Sequence, residues 1–242
     1  MVPDSIRNRP GDAAAALALE NAIRNVSYSP GNDPEAGHGM HSASSAGMPP
    51  KRITIIQGHP DADHSHFCHA LAGEYQQGAL AAGHEVRQID VARLEFPLIR
   101  ARHEFESGVL LPAIAAAQED IRWAQHLLIV YPLWLGTLPA LLKGFFEQTF
   151  RYGFALGMGK GRMPQKLLKG RSARVIVTMG MPAAAYRLIF RAHGVKSLDS
   201  SVLGISGFRP IHDTLIGSVE SMSSKTRERY LREARALGEE AC

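Results

Sequence analysis

The sequence predicts an α/β fold in which helices cover both faces of a doubly wound, five-stranded parallel sheet. Apolar segments of strand length alternate with helix-spaced segments from residue 51 onward, an alternation typical of parallel sheets. Residues 126–131 are almost wholly apolar and rich in β-formers, as expected for a strand buried on both faces. The length of 242 residues, 45% of them hydrophobic, suffices for one sizeable domain.

Composition argues against several classes of protein. The net charge of +4 is small and the basic residues are scattered, so the sequence does not indicate binding to nucleic acid or to a membrane. No apolar run approaches the roughly 20 residues of a membrane-spanning helix. The two cysteines, Cys68 and Cys242, cannot build a disulfide framework and favour a reducing compartment. Because the N-terminus lacks the apolar core of a secretory signal, we predict a cytoplasmic protein.

Residues 1–50 differ from the rest of the chain. They are rich in Ala, Gly, Ser, Asn and Pro and carry no strand pattern. We therefore predict a disordered extension over 1–50 and a single folded domain over 51–242. An arm that packs on a partner subunit is the alternative for the extension.

The first half of the predicted domain alternates strands with helices. The Ile-rich segment 52–57 predicts a buried strand that ends at a Gly-His-Pro sequence. A helix follows over 65–82, with Asp and Ser residues as caps before it and Gly83 after it, where glycine is favoured. Residues 84–91 alternate as a second strand does. After an irregular stretch, residues 111–123 place their apolar side chains on one side of a helix.

Proline and glycine set the boundaries in the second half. The later elements are predicted as strand 126–131, helix 138–150, strand 174–178, helix 183–192, a strand near 208–215 and helix 221–237. Pro132 ends its strand because it cannot donate a ladder hydrogen bond, and Gly194 is expected to stop the helix before it. The stretches 93–108 and 152–169 are predicted as irregular, and residues 157–161 within the second as a mobile loop or lid. Five strands fit the flavodoxin-like strand order.

Three loops are predicted to meet at one edge of the sheet, because the carboxyl ends of parallel strands lie together. Residues 58–67 lead into a helix N-terminus, whose amides and dipole favour a phosphate. Residues 132–136 form an apolar loop, and residues 178–186 follow the fourth strand. A phosphate site at one end of the edge and an apolar shelf at the other predict a flavin nucleotide.

Other interpretations of the same residues are open. The ligand-type side chains of the first loop could suggest a metal site: His59, His64, His66, Cys68 and His69. We predict no metal, because residues 64, 66 and 68 do not share a helix face. Cys68 is expected to be a packed small residue, Trp134 could be core, and Tyr186 could simply pack its helix onto the sheet.

Two motifs carry a resemblance to a known family. The sequence Gly58-His59-Pro60 precedes a Ser-x-Phe, and residues 131–147 read Tyr-Pro-Leu-Trp-Leu-Gly-x-x-Pro-Ala-Leu-Leu-Lys-Gly-Phe-Phe-Glu. This pattern resembles the NAD(P)H:quinone oxidoreductase family, which includes modulators of drug activity and ancillary oxidoreductases of potassium-efflux systems. The resemblance implies a flavodoxin-like fold, a homodimer, bound FAD or FMN, and two-electron transfer from NADH or NADPH to a quinone by a ping-pong hydride mechanism.

The same resemblance assigns roles to residues of this chain. The residues on the phosphate side of the flavin would be His59, Ser65, Phe67 and Cys68. Those in the loop under the isoalloxazine would be Pro132, Leu133, Trp134 and Leu135. Those that hydrogen-bond the ring would be Thr178, Met179, Gly180 and Met181, where the two methionines depart from the family's Thr-Thr-Gly-Gly. Catalytic assistance with charge and protons would come from Tyr186 and His193.

Two other functions compete with a quinone reductase. A flavin-binding regulatory subunit of a transport system would share the same motifs. An electron-carrier flavodoxin would usually be strongly acidic, whereas this chain is basic. The predicted homodimer would rest partly on helix 138–150, whose apolar stripe is wider than one sheet face needs.

Overall fold

The computed structural model describes residues 49–158 and 164–241. One parallel sheet has the order β2-β1-β3-β6-β7, which confirms the predicted fold class. Its strands are β1 (Arg52–Gln57), β2 (Glu85–Asp90), β3 (His126–Pro132), β6 (Ser172–Thr178) and β7 (Ile211–Ile216). The predicted extension lies outside the described residues, apart from its last two prolines, and stays a prediction.

Helices cover both faces of this sheet. The helices of the described part are α1 (Phe67–Ala81), α2 (Arg102–Ser107), α3 (Pro112–Trp123), α4 (Ala140–Thr149), α5 (Ala183–Leu188), α6 (His193–Leu198) and α7 (Ser224–Glu240). One apolar cluster joins the sheet to α1 and α7, and a second joins its other face to α3, α4, α5 and α6. Within residues 49–158 and 164–241, no helix has the length and apolar character needed to cross a membrane.

The central strand β3 shows why its sequence is apolar on both sides. Leu128 and Val130 belong to the cluster under α1 and α7, whereas Leu127 and Ile129 belong to the cluster on the opposite face. Successive side chains of a strand point to opposite faces, so both sets are buried. The strand ends at Pro132, and the chain leaves the sheet at its carboxyl edge.

Helices α1 and α7 cross with their backbones in close contact. A Cβ on Gly78 would lie 2.0 Å from the Arg235 carbonyl oxygen, and one on Gly238 would lie 2.0 Å from the Tyr75 carbonyl oxygen. Because any side chain at either position would displace the partner helix, the two glycines set the closeness of this crossing.

The structure corrects several predicted boundaries. The helix expected over 183–192 ends at Leu188, and Arg191 and Ala192 are left-handed with φ of 50° each. Gly194 does not stop a helix but lies inside α6, which runs on into a π-helical turn, Asp199–Gly204. The two stretches predicted as irregular contain α2 and a short antiparallel pair, β4 (Leu156–Gly157) with β5 (Gln165–Lys166).

The wide apolar stripe of α4 is used within the chain. Leu142, Phe145 and Phe146 are buried against other parts of the same chain, and so are Leu138 and Phe150 at its two ends. The stripe is wide because α4 packs on the sheet and on neighbouring loops at once. It therefore gives no separate argument for a homodimer.

Candidate functional site

The three loops predicted to meet are in contact at the carboxyl edge. The Leu133 amide donates a 2.7 Å hydrogen bond to the Thr178 carbonyl oxygen, which joins the loop after β3 to the end of β6. The Cys68 sulfur lies 3.1 Å from the Thr178 hydroxyl oxygen, which joins α1 to the same point. The rings of His59 and Trp134 lie edge to face with centroids 6.3 Å apart.

Carboxylates organise the loop between β1 and α1. The Asp63 amide donates to the Asp61 carboxylate, and the Ser65 amide and hydroxyl both donate to the Asp63 carboxylate. These hydrogen bonds hold the pKa of Asp61 and of Asp63 below the usual value. The Ser65 hydroxyl, predicted to face a phosphate, therefore has a carboxylate partner in this structure.

Helix α1 begins without a side-chain cap. His66 occupies the N-cap position, but its ring bonds the Asp61 carboxylate at 3.0 Å rather than the first-turn amides. Such amides carry partial positive charge and can accept an anion. Phe67 and Cys68 were both predicted to contact the flavin. The Phe67 ring instead packs against the Arg227 guanidinium of α7, 4.8 Å from the ring centroid. Burial raises the pKa of the Cys68 thiol to about 12, so it is a packed neutral group.

Four histidine rings are gathered at this helix start. The rings of His59 and His66 stack with centroids 4.0 Å apart, and those of His64 and His69 meet edge to face at 4.9 Å. Within the described residues, no set of three or more His, Cys, Asp or Glu side chains is arranged to hold a metal ion. The His59 and His66 rings are stacked, whereas His69 is tilted against both of them.

The loop after β3 is a tight turn that presents an apolar surface. Trp134 and Thr137 exchange two backbone hydrogen bonds of 2.9 and 3.0 Å, which close a turn around Leu135 and Gly136. Leu135 has φ of 48° and Gly136 of 81°, so a leucine takes a conformation that usually requires glycine. Trp134 is 50% exposed and the Leu135 side chain is fully exposed. Strain and exposed apolar surface together are typical of a ligand-binding loop.

The loop after β6 uses its backbone to extend the sheet edge. The Met179 amide donates to the Ile216 carbonyl oxygen at 2.9 Å, and the Met181 carbonyl oxygen accepts from the Ser218 amide at 3.1 Å. The Met179 side chain is buried in the core. Gly180 is exposed, and a Cβ at this position would lie 3.4 Å from a Glu220 carboxylate oxygen.

Tyr186 and His193 differ in burial and in hydrogen bonding. The Tyr186 ring is fully buried, and its hydroxyl donates to the Gly136 carbonyl oxygen at 3.0 Å and accepts from the Val195 amide at 3.4 Å. Burial raises the pKa of Tyr186. His193 is exposed at the first turn of α6. In the described part of the chain, no hydrogen bond or ring contact joins these two side chains.

Two features were not predicted as functional. His59 was predicted as a phosphate contact, but His64, His66 and His69 were considered only as possible metal ligands, although four histidines within eleven residues was a visible signal. A carboxyl pair, Asp199 in the π-helical turn and Asp213 on β7, was missed entirely. Burial and the Asp213 charge raise the pKa of Asp199 to about 7. An aspartate in the middle of a strand, where Asp is depleted, was the available signal.

The sequence is similar to one described family and to several individual proteins. Residues 51–237 match the family described as flavodoxin-like fold. An uncharacterized NAD(P)H oxidoreductase from Haemophilus influenzae is 27% identical over 72% of this chain and 87% of that protein. A ribosyldihydronicotinamide dehydrogenase-like protein from Penicillium crustosum is 34% identical, over 40% of this chain and only 33% of its own length. A glutathione-regulated potassium-efflux system ancillary protein from Serratia proteamaculans is 36% identical over 29% of this chain and 36% of that protein.

Solved structures share the fold at lower identity. An NAD(P)H:quinone oxidoreductase from Methanothermobacter marburgensis superposes with a TM-score of 0.65 and 24% identity, over 78% of this chain and 96% of that one. An FMN-dependent NADH-azoreductase from Bacillus anthracis, in complex with FMN, gives 0.61 and 17%, over 79% and 97%. With the family match over residues 51–237 and the observed strand order, these findings establish that the chain belongs to the flavodoxin-like fold family.

Proposed function

We propose that the protein is a flavin-dependent oxidoreductase that takes two electrons from NADH or NADPH and passes them to a quinone or a similar small acceptor. The observation that carries the proposal is the exposed apolar turn at Trp134 and Leu135, set on the same sheet edge as the uncapped start of α1. Support comes from relatives named NAD(P)H oxidoreductase and from a structural neighbour that binds FMN.

The residues of the edge fit a flavin nucleotide. The first-turn amides of α1, with His59 beside them, would hold the phosphate end. Trp134 and Leu135 would lie under the flat ring, and the exposed backbone at Gly180 could hydrogen-bond its edge. A bound flavin would supply the hydride chemistry between nicotinamide and acceptor, which protein side chains cannot perform alone. The choice between FAD and FMN depends on how much of the nucleotide the β1–α1 loop holds.

Two side chains near the edge would have separate roles, one in charge and proton transfer and one in positioning the turn. His193 is exposed, and histidine is the side chain that most often transfers protons in catalysis, so we propose it as the group that assists charge and proton transfer. Tyr186 has its hydroxyl bonded to backbone on two sides, and it would act by holding the turn at Gly136 in place. The two substrates would bind in turn over the same apolar surface, which gives ping-pong kinetics.

Purified protein tests the proposal directly. We expect a yellow protein whose absorbance spectrum shows flavin, with about one non-covalent flavin per chain that mass spectrometry identifies as FAD or FMN. NADH or NADPH should then reduce a soluble quinone in its presence, with parallel double-reciprocal plots. A folded sample that takes up neither FAD nor FMN would overturn the assignment.

A regulatory role is the second candidate. It is favoured by the short match to a potassium-efflux ancillary protein, which covers 29% of this chain. Slow turnover with every quinone tried, together with tight binding to a transport protein, would support it over the enzyme.

We also propose a homodimer in the cytoplasm. Leu188, Ile189 and Phe190 form a continuous run of exposed apolar side chains next to the candidate site. A second copy covering this run would remove it from water. Sedimentation at micromolar concentration should give a dimer, and a monomer under those conditions would refute it.

A further inference from the structure

We propose that the histidine cluster at the start of α1, formed by His59, His64, His66 and His69, couples phosphate binding to proton uptake, so that the flavin's phosphate end binds more tightly as the pH falls. This inference rests on the proposed flavin site and adds a form of regulation to it. The cluster occupies the carboxyl end of β1 and the first turn of a helix of 15 residues.

The four rings are packed against one another. His59 and His66 stack at 4.0 Å, and His69 lies 5.6 Å from His59 and 6.2 Å from His66, measured between ring centroids. His64 meets His69 at 4.9 Å. If two of these rings were protonated together, their charges would repel at contact distance unless an anion lay beside them.

The charged groups that face the cluster compensate it only in part. Asp61 and Asp63 belong to the same loop, and Asp61 pairs with His66 at 3.0 Å in an exposed position. From the end of β2, the Asp90 carboxylate acts on His69 at longer range and is itself paired with Arg93 at 3.0 Å. The Arg93 guanidinium lies 3.1 Å from the His64 ring nitrogen and adds a positive charge at the edge of the cluster.

His69 gives the independent sign of an anion site. The residue is 8% exposed, and neither ring nitrogen has a hydrogen-bond partner within the described residues. A neutral imidazole always carries one donor and one acceptor, so burying both unpaired is unfavourable. Burial also lowers the pKa of His59 and of His69. A phosphate at the neighbouring uncapped amides would give these rings an anion to pair with.

Thermodynamic linkage between phosphate binding and protonation determines the sign and size of the pH dependence. A phosphate oxyanion beside the rings favours their protonated form, so the histidine pKa values are higher in the complex than in the free protein. In the pH range between a histidine's pKa in the free protein and its higher pKa in the complex, ligand binding is accompanied by proton uptake. For each proton taken up, the dissociation constant rises about tenfold per unit of increasing pH. The flavin's phosphate groups supply the charge, so riboflavin, which has none, should show no such dependence.

Calorimetry and flavin-fluorescence titration test the proposal together. We expect the dissociation constant of FAD to rise up to about tenfold per pH unit between about pH 6 and 8, whereas that of riboflavin stays flat. If the protein binds only FMN, the FMN phosphate itself gains negative charge as the pH rises through about 6, which should tighten binding. A dissociation constant that nevertheless rises with pH would therefore still support the proposal. Binding heats in two buffers of different ionisation enthalpy should show uptake of about one proton near pH 7.

Two variants and one control separate the cluster from other effects. His66→Gln and His69→Phe should each flatten the FAD dependence and reduce proton uptake, and the first is partly exposed and so should fold. The exposed His103 on α2 lies outside the cluster, and His103→Gln should behave as wild type. Equal pH dependence for FAD and riboflavin, or an unchanged dependence in both cluster variants, would overturn the proposal.

Failure of the flavin assignment is distinguishable from failure of proton coupling. ADP-ribose carries a diphosphate diester that does not titrate near neutral pH, and it has no flavin ring. If no flavin binds, ADP-ribose binding that weakens with rising pH still supports the histidine cluster as a proton-coupled phosphate site. Flavin binding without proton uptake supports the enzyme and refutes the coupling.

Discussion

The Tyr186 hydroxyl donates a 3.0 Å hydrogen bond to the Gly136 carbonyl oxygen, and so fastens α5 to the turn after β3. The same hydroxyl accepts from the Val195 amide, and the tyrosine therefore connects three segments of the candidate site. Since Gly136 and Leu135 are both left-handed, this turn depends on outside contacts to keep its shape. Tyr186 supplies one of them from a fully buried position.

Tyr186→Phe should loosen this turn without unfolding the protein. The change leaves the Gly136 carbonyl and the Val195 amide without their partner, which costs about 1–3 kcal/mol of stability. We expect weaker flavin binding and a shifted flavin absorbance spectrum, because the ring would lie on a mobile surface. Urea unfolding and flavin titration measure the two effects.

Tyr131→Phe is the matched control. The Tyr131 hydroxyl on β3 is also buried, but it has no hydrogen-bond partner within residues 49–158 and 164–241. Removing it should leave both stability and flavin affinity near wild type. Equal losses in the two variants would show that any buried tyrosine hydroxyl matters here and would remove the special role of Tyr186.

Gly194→Ala should displace the same turn from the other side. A Cβ at this position would lie 2.3 Å from the Gly136 carbonyl oxygen and 3.0 Å from the Tyr186 hydroxyl oxygen, and backbone cannot yield that much. We expect a lower melting temperature and weaker flavin binding. Gly73→Ala in α1 meets nothing within 4 Å and should instead stabilise its helix by about 0.5–1 kcal/mol. Similar behaviour of the two alanine variants would contradict the packing argument.

The sequence allowed the sheet to be predicted because its signals are local. The apolar runs that mark β1, β3 and β6 are six or seven residues long. They can be recognised without knowledge of distant contacts. Gly194 was misplaced because helix-stopping is the commonest local meaning of glycine. Its actual role, making room for the Gly136 carbonyl, depends on a contact 58 residues away in the chain.

The candidate site was predictable in position but less so in detail. Strand ends in a parallel sheet must lie together, so the loops at His59, Trp134 and Thr178 could be expected to meet. Side-chain direction is set by packing that sequence does not reveal. Thus Phe67 faces α7, Met179 enters the core, and Ser65 bonds a neighbouring carboxylate.

The Asp199–Asp213 pair should make stability fall as the pH rises. Because the pKa of Asp199 is raised to about 7, the folded protein holds a proton that the unfolded chain releases near its ordinary pKa of about 3.9. Stability from this group is fully present below about pH 4 and is lost as the pH rises through about 7. Asp199→Asn should flatten this decline in urea unfolding between about pH 4 and 7. The exposed Glu95→Gln should leave it intact, and an unchanged slope in Asp199→Asn would refute the assignment.

His193→Gln tests whether the exposed histidine assists the reaction itself. The variant keeps most of the side-chain volume and lies at a solvent-exposed position, so the fold and the bound flavin should both survive. If the imidazole supports charge or proton transfer, one half-reaction should slow by about 10²–10⁴-fold. Stopped-flow reduction by NADH or NADPH and reoxidation by a soluble quinone separate the two halves.

The comparison with Tyr186→Phe then distinguishes the roles of the two residues. A group that acts on protons changes a rate and its pH profile while flavin affinity stays constant. A residue that positions the turn changes flavin affinity and spectrum first, and both half-reactions follow in equal measure. We expect the first pattern for His193 and the second for Tyr186, because one side chain is exposed and the other is enclosed by backbone partners. Wild-type rates in His193→Gln would remove His193 from the proposed mechanism and would favour a regulatory flavoprotein.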